Sequence, residues 1–151
     1  MTIRNFNTFL LFKLPSAFFC GVRLKLLSKE RAVVTVGLNF LNKNPFKSMF
    51  WAVQGMAAEL STGAIILSEV KKSPISISML VTRNEAEFLK KAKGKITFTC
   101  TDVVLVENQF RKLLKSESGA RFWMESEGID QQGNVVSRFR FEWSLKARSK
   151  A

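Results

Sequence analysis

Residues 42–63 read NKNPFKSMFWAVQGMAAELSTG, and this stretch decides the fold. Asn44 is a typical helix N-cap residue, and Pro45 suits the first helical position, where its missing N–H costs no hydrogen bond. Apolar residues then recur at helical spacing as far as Leu67, which predicts a long helix over about residues 45–67. Polar residues such as Glu59 interrupt this helix too often for a membrane span, so we expect it to lie in a globular core.

The predicted helix has two different faces. One arc of about 160° is apolar and is expected to pack on a sheet; it holds Met49, Phe50, Ala52, Val53, Met56, Ala57 and Leu60. The opposite arc is small and polar with only two charges; it holds Lys47, Ser48, Trp51, Gln54, Gly55, Ala58, Glu59, Ser61 and Thr62. A solvated helix face is usually rich in Lys and Glu. We therefore expect the polar arc to line a cleft shared with a neighbouring copy of the chain.

Segments on both sides of this helix alternate between apolar and polar residues, as half-buried strands do. Strands are predicted at 21–27, 31–38, 75–81, 96–101, 121–127 and 135–146, and the first two form a hairpin. A short helix is predicted over 7–14, and a second over about 103–115 with Asp102 as its cap. These elements predict one α+β domain over residues 1–151, with a curved, mainly antiparallel sheet wrapped around a long central helix. That arrangement is the hot-dog fold.

The composition excludes several kinds of active site. The 151 residues include no histidine and only two cysteines, Cys20 and Cys100, which are far apart in the chain. These counts exclude Ser-His-Asp and Cys-His nucleophilic sites and the usual histidine and cysteine ligand sets of zinc. We therefore expect no metal and no cofactor. Two distant cysteines give no disulfide framework, and the apolar N-terminal stretch is too short for an export signal, so we expect a cytoplasmic protein.

The chain carries a large excess of positive charge. It has 24 Lys and Arg residues against 12 Asp and Glu residues, which gives a formal net charge of +12. Such a surface attracts polyanions, which include nucleic acid, anionic lipid, an acidic carrier protein and phosphate-bearing small molecules. The one dense basic run, at residues 90–95, is typical of a solvated turn, and no nucleic-acid-binding motif accompanies it. We expect no specific nucleic-acid partner and no membrane span.

Four stretches carry a family resemblance: LP at 14–15, FCGVR at 19–23, NKNPFKSMF at 42–50 and, above all, AVQGMAAELSTG at 52–63. The sequence resembles an uncharacterised bacterial family of thioesterase-like hot-dog-fold proteins. The resemblance implies a homodimer or homotetramer that binds acyl-CoA or an acyl-carrier protein in a tunnel at the subunit interface. It also implies an Asp or Glu on the central helix as base or nucleophile, and N–H groups at the start of that helix that polarise the thioester carbonyl.

The resemblance places the usual acid close to Gln54 or Gly55, with Glu59 one turn later. Glu59 is therefore the predicted catalytic base, and Gln54 is predicted to orient a water because an amide cannot take its proton. Backbone donors at the helix start are expected from residues 44–48, with added charge from a lysine. The predicted substrate-binding residues are Asn44, Lys47, Ser48 and Gly55. The His-Gly-Gly lead that is common in the enzymes is replaced by residues 45–48, PFKS.

Two functions follow from these residues. The first is hydrolysis of an acyl thioester at a subunit interface, which requires Glu59. The alternative is a non-catalytic hot-dog module that binds acyl chains, lipid or a protein partner. In that case Glu59 pairs with a lysine or arginine at the subunit interface, and Gln54 is a hydrogen-bonded interface amide. Turnover that depends on the Glu59 carboxylate distinguishes the two.

Overall fold

A computed structural model of the protein describes residues 2–116 and 119–148. Its helices are α1 (Ile3–Lys13), α2 (Pro15–Phe19), α3 (Trp51–Lys72) and α4 (Val103–Ser116). Its strands are β1 (Arg23–Leu27), β2 (Ala32–Gly37), β3 (Ile77–Phe88), β4 (Lys95–Cys100), β5 (Ala120–Ile129) and β6 (Val135–Ala147). The remaining residues of the predicted domain, 1, 117–118 and 149–151, lie outside the described part. Within that part, no helix is long and apolar enough to cross a membrane.

The six strands form one sheet in the order β1-β2-β4-β5-β6-β3, and every neighbouring pair is antiparallel. The predicted hairpin is present as β1 and β2, with Arg23 opposite Thr35 and Leu27 opposite Ala32. Helix α3 packs across β1, β2, β4, β5 and β6. The result is the predicted α+β hot-dog fold, a curved antiparallel sheet around one long helix.

Alternation along the strands separates the core from the outer face of the sheet. In β6, Phe139, Phe141, Trp143 and Leu145 are buried, as the sequence pattern predicts. The outward-facing Arg138 and Arg140 each lie between carboxylates of the two neighbouring strands. Four ion pairs result, from Arg138 to Glu87 (3.8 Å) and Glu127 (2.9 Å), and from Arg140 to Glu85 (3.1 Å) and Glu125 (3.1 Å). We call these six residues the ion-pair grid. Because it is exposed, it contributes little to stability.

The start of the central helix differs from the prediction. Helix α3 begins at Trp51, six residues after Pro45, and continues to Lys72, five residues beyond the predicted end. The Asn44 side chain closes a loop instead of a helix: its Oδ1 accepts hydrogen bonds from the N–H groups of Phe46 (3.0 Å) and Ser48 (3.2 Å). This loop is also attached to the connection between β3 and β4, because the Met49 N–H donates to the Ala92 carbonyl at 2.8 Å. A tertiary hydrogen bond therefore overrides the local helix signal.

The other helices and strands follow the sequence pattern with shifted ends. Helix α1 begins at Ile3, four residues before the predicted start, because Thr2 caps it through a hydrogen bond from the Asn5 N–H at 3.2 Å. Helix α4 lies where it was predicted, but β3 continues seven residues past Val81 to Phe88. The added part of β3 is exposed on both faces, so burial leaves no alternation there for the sequence to display.

Part of the polar arc of α3, which we expected a neighbouring copy to cover, is covered by the chain itself. Gln54, Ala58, Ser61 and Thr62 are buried against the chain's own sheet. Three hydrogen bonds satisfy this face, joining Ser137 Oγ to Gln54 Oε1 (2.9 Å), Ser61 Oγ to Ser126 Oγ (2.7 Å) and Trp143 Nε1 to Thr62 Oγ1 (3.0 Å). The arc is polar because β5 and β6 present polar groups to it. Buried polar groups need such partners.

Gly128 in β5 allows the closest contact between the sheet and the core. A Cβ atom at this position would lie 2.5 Å from Cε1 and 2.8 Å from Cζ of Phe98, a ring with no exposed surface. We expect Gly128→Ala to lower the free energy of unfolding by about 1–3 kcal/mol, measured by urea denaturation. Gly37→Ala is the matched control, because a Cβ at Gly37 meets nothing within 4 Å.

The smaller side chain of Phe98→Leu should relieve part of this cost. The double variant is then expected to lose less stability than the sum of the two single variants. Equal stability of Gly128→Ala and the wild type would contradict the close packing of Gly128 on Phe98.

Candidate active site

A cavity of about 570 Å³ lies at the N-terminal end of α3. Its walls come from the loop before α3, the first turn of the helix, and the end of β3 with the residues that follow it. The lining is mainly apolar and aromatic, with Phe46, Phe50, Trp51, Phe88 and Leu89, and it includes the exposed Lys90 and Lys91. An apolar cavity with a few polar groups is the usual form of a small-molecule site.

A larger depression of about 760 Å³ lies over the ion-pair grid on the outer face of the sheet. Its carboxylates are already paired with Arg138 and Arg140. Asp102, also in its lining, accepts a hydrogen bond from the Glu125 N–H at 2.8 Å. We therefore place the candidate site at the start of α3, where two backbone N–H groups have no hydrogen-bond acceptor in the described part of the chain.

The backbone N–H groups that were predicted to bind substrate belong to the loop before α3, and they are already hydrogen-bonded within that loop. The N–H groups of Phe46 and Ser48 bind the Asn44 side chain, and the Lys47 N–H binds the Asn44 carbonyl at 3.2 Å. Lys47 adopts a left-handed conformation, with φ of 59°, and its side chain is exposed. Asn44 and Ser48 line the cavity, whereas Lys47 is not part of the lining.

The free donors lie at the true start of the helix. The N–H groups of Val53 and Gln54 both bind the Phe50 carbonyl, at 3.0 and 3.3 Å. Within the described residues, no hydrogen bond uses the N–H groups of Trp51 or Ala52. These donors lie at the positive end of the helix dipole, where negative charge is stabilised. The sequence analysis expected such donors from residues 44–48, whereas in the structure they belong to residues 51 and 52.

Gln54 borders the cavity, and both the oxygen and the nitrogen of its side-chain amide are hydrogen-bonded. Its Oε1 accepts from Ser137 Oγ at 2.9 Å, and its Nε2 donates to the Met49 carbonyl at 3.4 Å. The Nε2 group has a second hydrogen, so one N–H is left for a bound molecule. This geometry suits a donor to substrate or water.

Glu59 lies on a different stripe of α3 from Gln54. The two residues are five apart, which places them about 140° apart around the helix axis. Glu59 sits between Gly55 and Gly63, and a Cβ at Gly63 would lie 3.6 Å from Glu59 Oε1. Cβ atoms at these glycines would contact the rings of Phe139 and Trp143, at 3.6 and 3.4 Å, so this stripe lies against the aromatic row of β6.

The environment of Glu59 favours the neutral carboxyl group. Burial raises the pKa of Glu59 from 4.5 to about 6. None of the ion pairs among the described residues includes Glu59, and it does not line the cavity that Gln54 borders. Gly55 is also outside that lining. One chain therefore brings Asn44, Ser48 and Gln54 together, but not Glu59, Lys47 or Gly55.

A buried asparagine that the sequence analysis did not single out anchors the loop. Asn42 Nδ2 donates to the carbonyls of Gly37 (2.7 Å) and Cys20 (2.9 Å), and its Oδ1 accepts from the Asn39 N–H at 2.8 Å. The sequence holds three asparagines between 39 and 44, a pattern typical of turns, but nothing in their spacing shows which one is buried.

Cys100 is buried and forms no disulfide, and its thiol donates to Asp102 Oδ2 at 3.7 Å; burial raises its pKa to about 12, so the thiol stays protonated. Within the described residues, no group of three Cys, Asp or Glu side chains lies close enough together to hold a metal ion.

The raised pKa of Glu59 makes stability depend on pH. The folded state holds this proton more tightly than the unfolded chain, so the free energy of unfolding falls as the pH rises from about 4.5 through about 6. Glu59→Gln removes this titration. We expect the variant to match the wild type near pH 4 and to be more stable near pH 8 by up to about 2 kcal/mol, measured by urea denaturation.

Glu69→Gln is the control on the same helix, because Glu69 pairs with Lys72 and we therefore expect no gain in stability when its charge is removed. If Glu59→Gln is less stable than the wild type near pH 8, the carboxylate has a favourable partner and the desolvation argument is wrong.

The chain has the hot-dog fold that the sequence resemblance implies, and it shares this fold with bacterial proteins that are described as thioesterases. More narrowly, the chain belongs to the family described as "Domain of unknown function (DUF4442)", whose model matches residues 3–145. No curated protein sequence matches the chain.

Several solved structures share the fold over nearly the whole chain. One is a Pseudomonas aeruginosa protein of unknown function described as a "Probable Thioesterase", with 20% identity, 96% of each chain covered and a TM-score of 0.78. A Chlorobaculum tepidum protein of unknown function has 16% identity, coverage of 96% of this chain and 94% of that chain, and a TM-score of 0.82. A Haemophilus influenzae thioesterase has 14% identity, coverage of 97% and 92%, and a TM-score of 0.70. At these identities the similarity establishes the fold.

Proposed function

We propose that the protein hydrolyses an acyl thioester of CoA or of an acyl-carrier protein, at a site completed by a second copy of the chain. The observation that carries this proposal is that the N–H groups of Trp51 and Ala52 bind no acceptor in residues 2–116 and 119–148, and that they lie at the end of α3 that borders an apolar cavity. Such donors stabilise the negative charge that develops on a thioester carbonyl oxygen when a nucleophile attacks. The descriptions of the P. aeruginosa and H. influenzae structures as thioesterases point the same way.

Glu59 is the proposed base. It removes a proton from water, the resulting hydroxide adds to the carbonyl carbon, and the thiolate leaves and takes up a proton. A pKa of about 6 suits a base that works near neutral pH. Because Glu59 and the cavity lie on different sides of α3, the base that serves one cavity belongs to the other subunit of a homodimer or homotetramer. Gln54 donates its free amide N–H to the water or to the substrate.

The proposed substrate matches the walls of the cavity. The apolar rings of Phe46, Phe50 and Phe88 suit an acyl chain. The amines of Lys90 and Lys91 suit the phosphates of CoA or the acidic surface of a carrier protein. Asn44 and Ser48 hold the loop that shapes this wall.

A screen of acyl-CoA substrates from short to long chains, followed by release of the free thiol, tests this proposal. Turnover that varies with chain length is expected, together with a dimeric or larger mass in analytical ultracentrifugation. A monomeric protein that still hydrolyses thioesters would contradict the shared site.

A non-catalytic acyl-binding module is the second candidate function. It is favoured by the firm hydrogen bonding of Gln54, which lies near the position of the usual acid but cannot remove a proton. Mass spectrometry of ligands that co-purify with the protein distinguishes the two. A bound acyl chain with no turnover of any thioester would support the module.

A further inference from the structure

Ser137 is a small polar residue in a row of β6 that is otherwise apolar and aromatic. The row that faces the core consists of Ser137, Phe139, Phe141, Trp143 and Leu145, and all five side chains are buried. Ser137 itself has no exposed surface. A buried hydroxyl group has a cost in free energy unless it forms a hydrogen bond, and it fills less space than the neighbouring side chains. Packing therefore does not explain this serine, and its hydrogen-bond partner does.

That partner is the side-chain amide of Gln54, which is buried and borders the candidate site. Ser137 Oγ lies 2.9 Å from Gln54 Oε1. Two further polar contacts join α3 to the sheet through Ser61 and Thr62, but these two residues do not line the cavity. In the sheet, the residue opposite Ser137 in β3 is Phe88, which does line it. The contact from Ser137 is therefore the one of these three that reaches the candidate site.

The neighbours of the Gln54 amide determine which way it faces. Nε2 lies 3.4 Å from the Met49 carbonyl oxygen, which can only accept a hydrogen bond. The reverse orientation would place two carbonyl oxygens side by side, so Nε2 belongs next to Met49 and Oε1 next to Ser137. Because Oε1 also only accepts, the Ser137 hydroxyl donates its hydrogen to it. The second hydrogen of Nε2 is then left for a bound molecule.

We propose that Ser137 is a positioning residue, whose hydroxyl holds the Gln54 amide so that the second N–H of Nε2 is offered to the water or substrate in the cavity. Ser137 is not part of the cavity lining, so it acts through Gln54. Without the hydroxyl, Gln54 Oε1 is a buried acceptor with no partner, and the amide gains by rotating away from Met49. The effect on catalysis rests on the proposed function, whereas the effect on the orientation of Gln54 does not.

A comparison of two serine variants separates positioning from packing. Ser126→Ala is the matched control for Ser137→Ala, because Ser126 is also buried in the sheet and lies 2.7 Å from the hydroxyl of Ser61 on α3, outside the cavity lining. Both variants should lower the unfolding midpoint by similar amounts. Ser137→Ala should lower kcat for acyl-CoA hydrolysis by about 10–100-fold with a similar KM, because a misplaced donor weakens the transition state more than substrate binding. Ser126→Ala should keep wild-type turnover.

A double-mutant cycle shows whether Ser137 acts through Gln54. Gln54→Met removes the amide, keeps a side chain of similar length, and should lower kcat by about 10²–10³-fold. In that background, Ser137→Ala should cause less than about a twofold further loss, because no amide is left to position. Both partners of the hydrogen bond are then replaced by apolar groups, so the double variant should remain folded.

The orientation of the amide can also be measured without turnover. In ¹⁵N-labelled protein, the two side-chain hydrogens of Gln54 give a pair of NMR signals, which are identified by their loss in Gln54→Met. We expect this pair to move toward the shifts of a free glutamine amide in Ser137→Ala. The pair should stay in place in Ser126→Ala.

The outcomes that would overturn the proposal are specific. One is a pair of Gln54 signals that does not move in Ser137→Ala. Another is equal kcat in Ser137→Ala and Ser126→Ala, and a third is an equal loss from Ser137→Ala with and without the Gln54 amide, which would assign the serine to the packing of the core. If the wild type hydrolyses no thioester, the proposed function fails instead, and the NMR signals alone decide whether Ser137 orients Gln54.

Discussion

Glu59→Gln is expected to lower kcat for acyl-thioester hydrolysis by about 10²–10⁴-fold. The amide keeps the size of the carboxylate but cannot remove a proton from water. KM should change little, because the proposed role of Glu59 is to act on the attacking water and not to bind the substrate. The variant is expected to be at least as stable as the wild type near neutral pH, so unfolding would not explain a loss of activity.

The pH profile gives a second readout of the same group. The active form of Glu59 is the carboxylate, and burial raises its pKa to about 6. kcat/KM of the wild type should therefore rise with pH through about 6 and then level off, and Glu59→Gln should lack this step. Glu69→Gln, on the same helix, should keep both the rate and the profile. A Glu59→Gln variant with wild-type turnover would leave the protein without its proposed base.

Much of the sheet could be predicted from the sequence because its signal is local. A strand with one face in the core alternates with period two, so 96–101 and 135–146 show in the sequence what β4 and β6 show in the structure. Helix α4 is equally visible from its apolar spacing after Asp102. The predicted fold class therefore agrees with the structure, although several ends are shifted.

The start of α3 could not be predicted because its causes are not local. Asn44 and Pro45 form a strong helix-start signal, but the loop satisfies Asn44 internally. The bond from Met49 to Ala92 then delays the helix to Trp51, and it joins residues that are far apart in the chain. Local propensity is a weak preference, and tertiary contacts override it.

The candidate site could not be predicted in full for the same reason, since it also depends on contacts between distant parts of the chain. Helical spacing shows which residues share a face but not what lies opposite that face. Gln54 and Thr62 belong to a polar arc in the sequence, and only the structure shows that Ser137 and Trp143 meet them. The part of the arc that includes Gln54 and Thr62 is therefore covered by the chain's own sheet and not by a second copy. On the same arc, Trp51 is exposed and Glu59 is half-buried, so these two side chains remain accessible to a second copy.

The last expectation concerns the backbone donors at the start of α3, which a proline can remove. Trp51 is the first residue of the helix, and its N–H has no partner among the described residues. Phe50 before it has φ of −60° and ψ of 133°, the extended conformation that a following proline requires. Trp51→Pro therefore deletes one N–H group without breaking a helical hydrogen bond.

Trp51→Ala is the matched control, because it removes the same indole and keeps the N–H. Relative to that control, Trp51→Pro should lower kcat by about 10²–10³-fold with a similar KM, since the lost donor acts on charge that develops only in the transition state. The unfolding midpoints of the two variants should agree closely, which circular dichroism will check. If the proline and alanine variants turn over thioester at the same rate, the carbonyl oxygen does not bind at this end of the helix. The cavity would then be a binding pocket, and the acyl-binding module would be the better assignment.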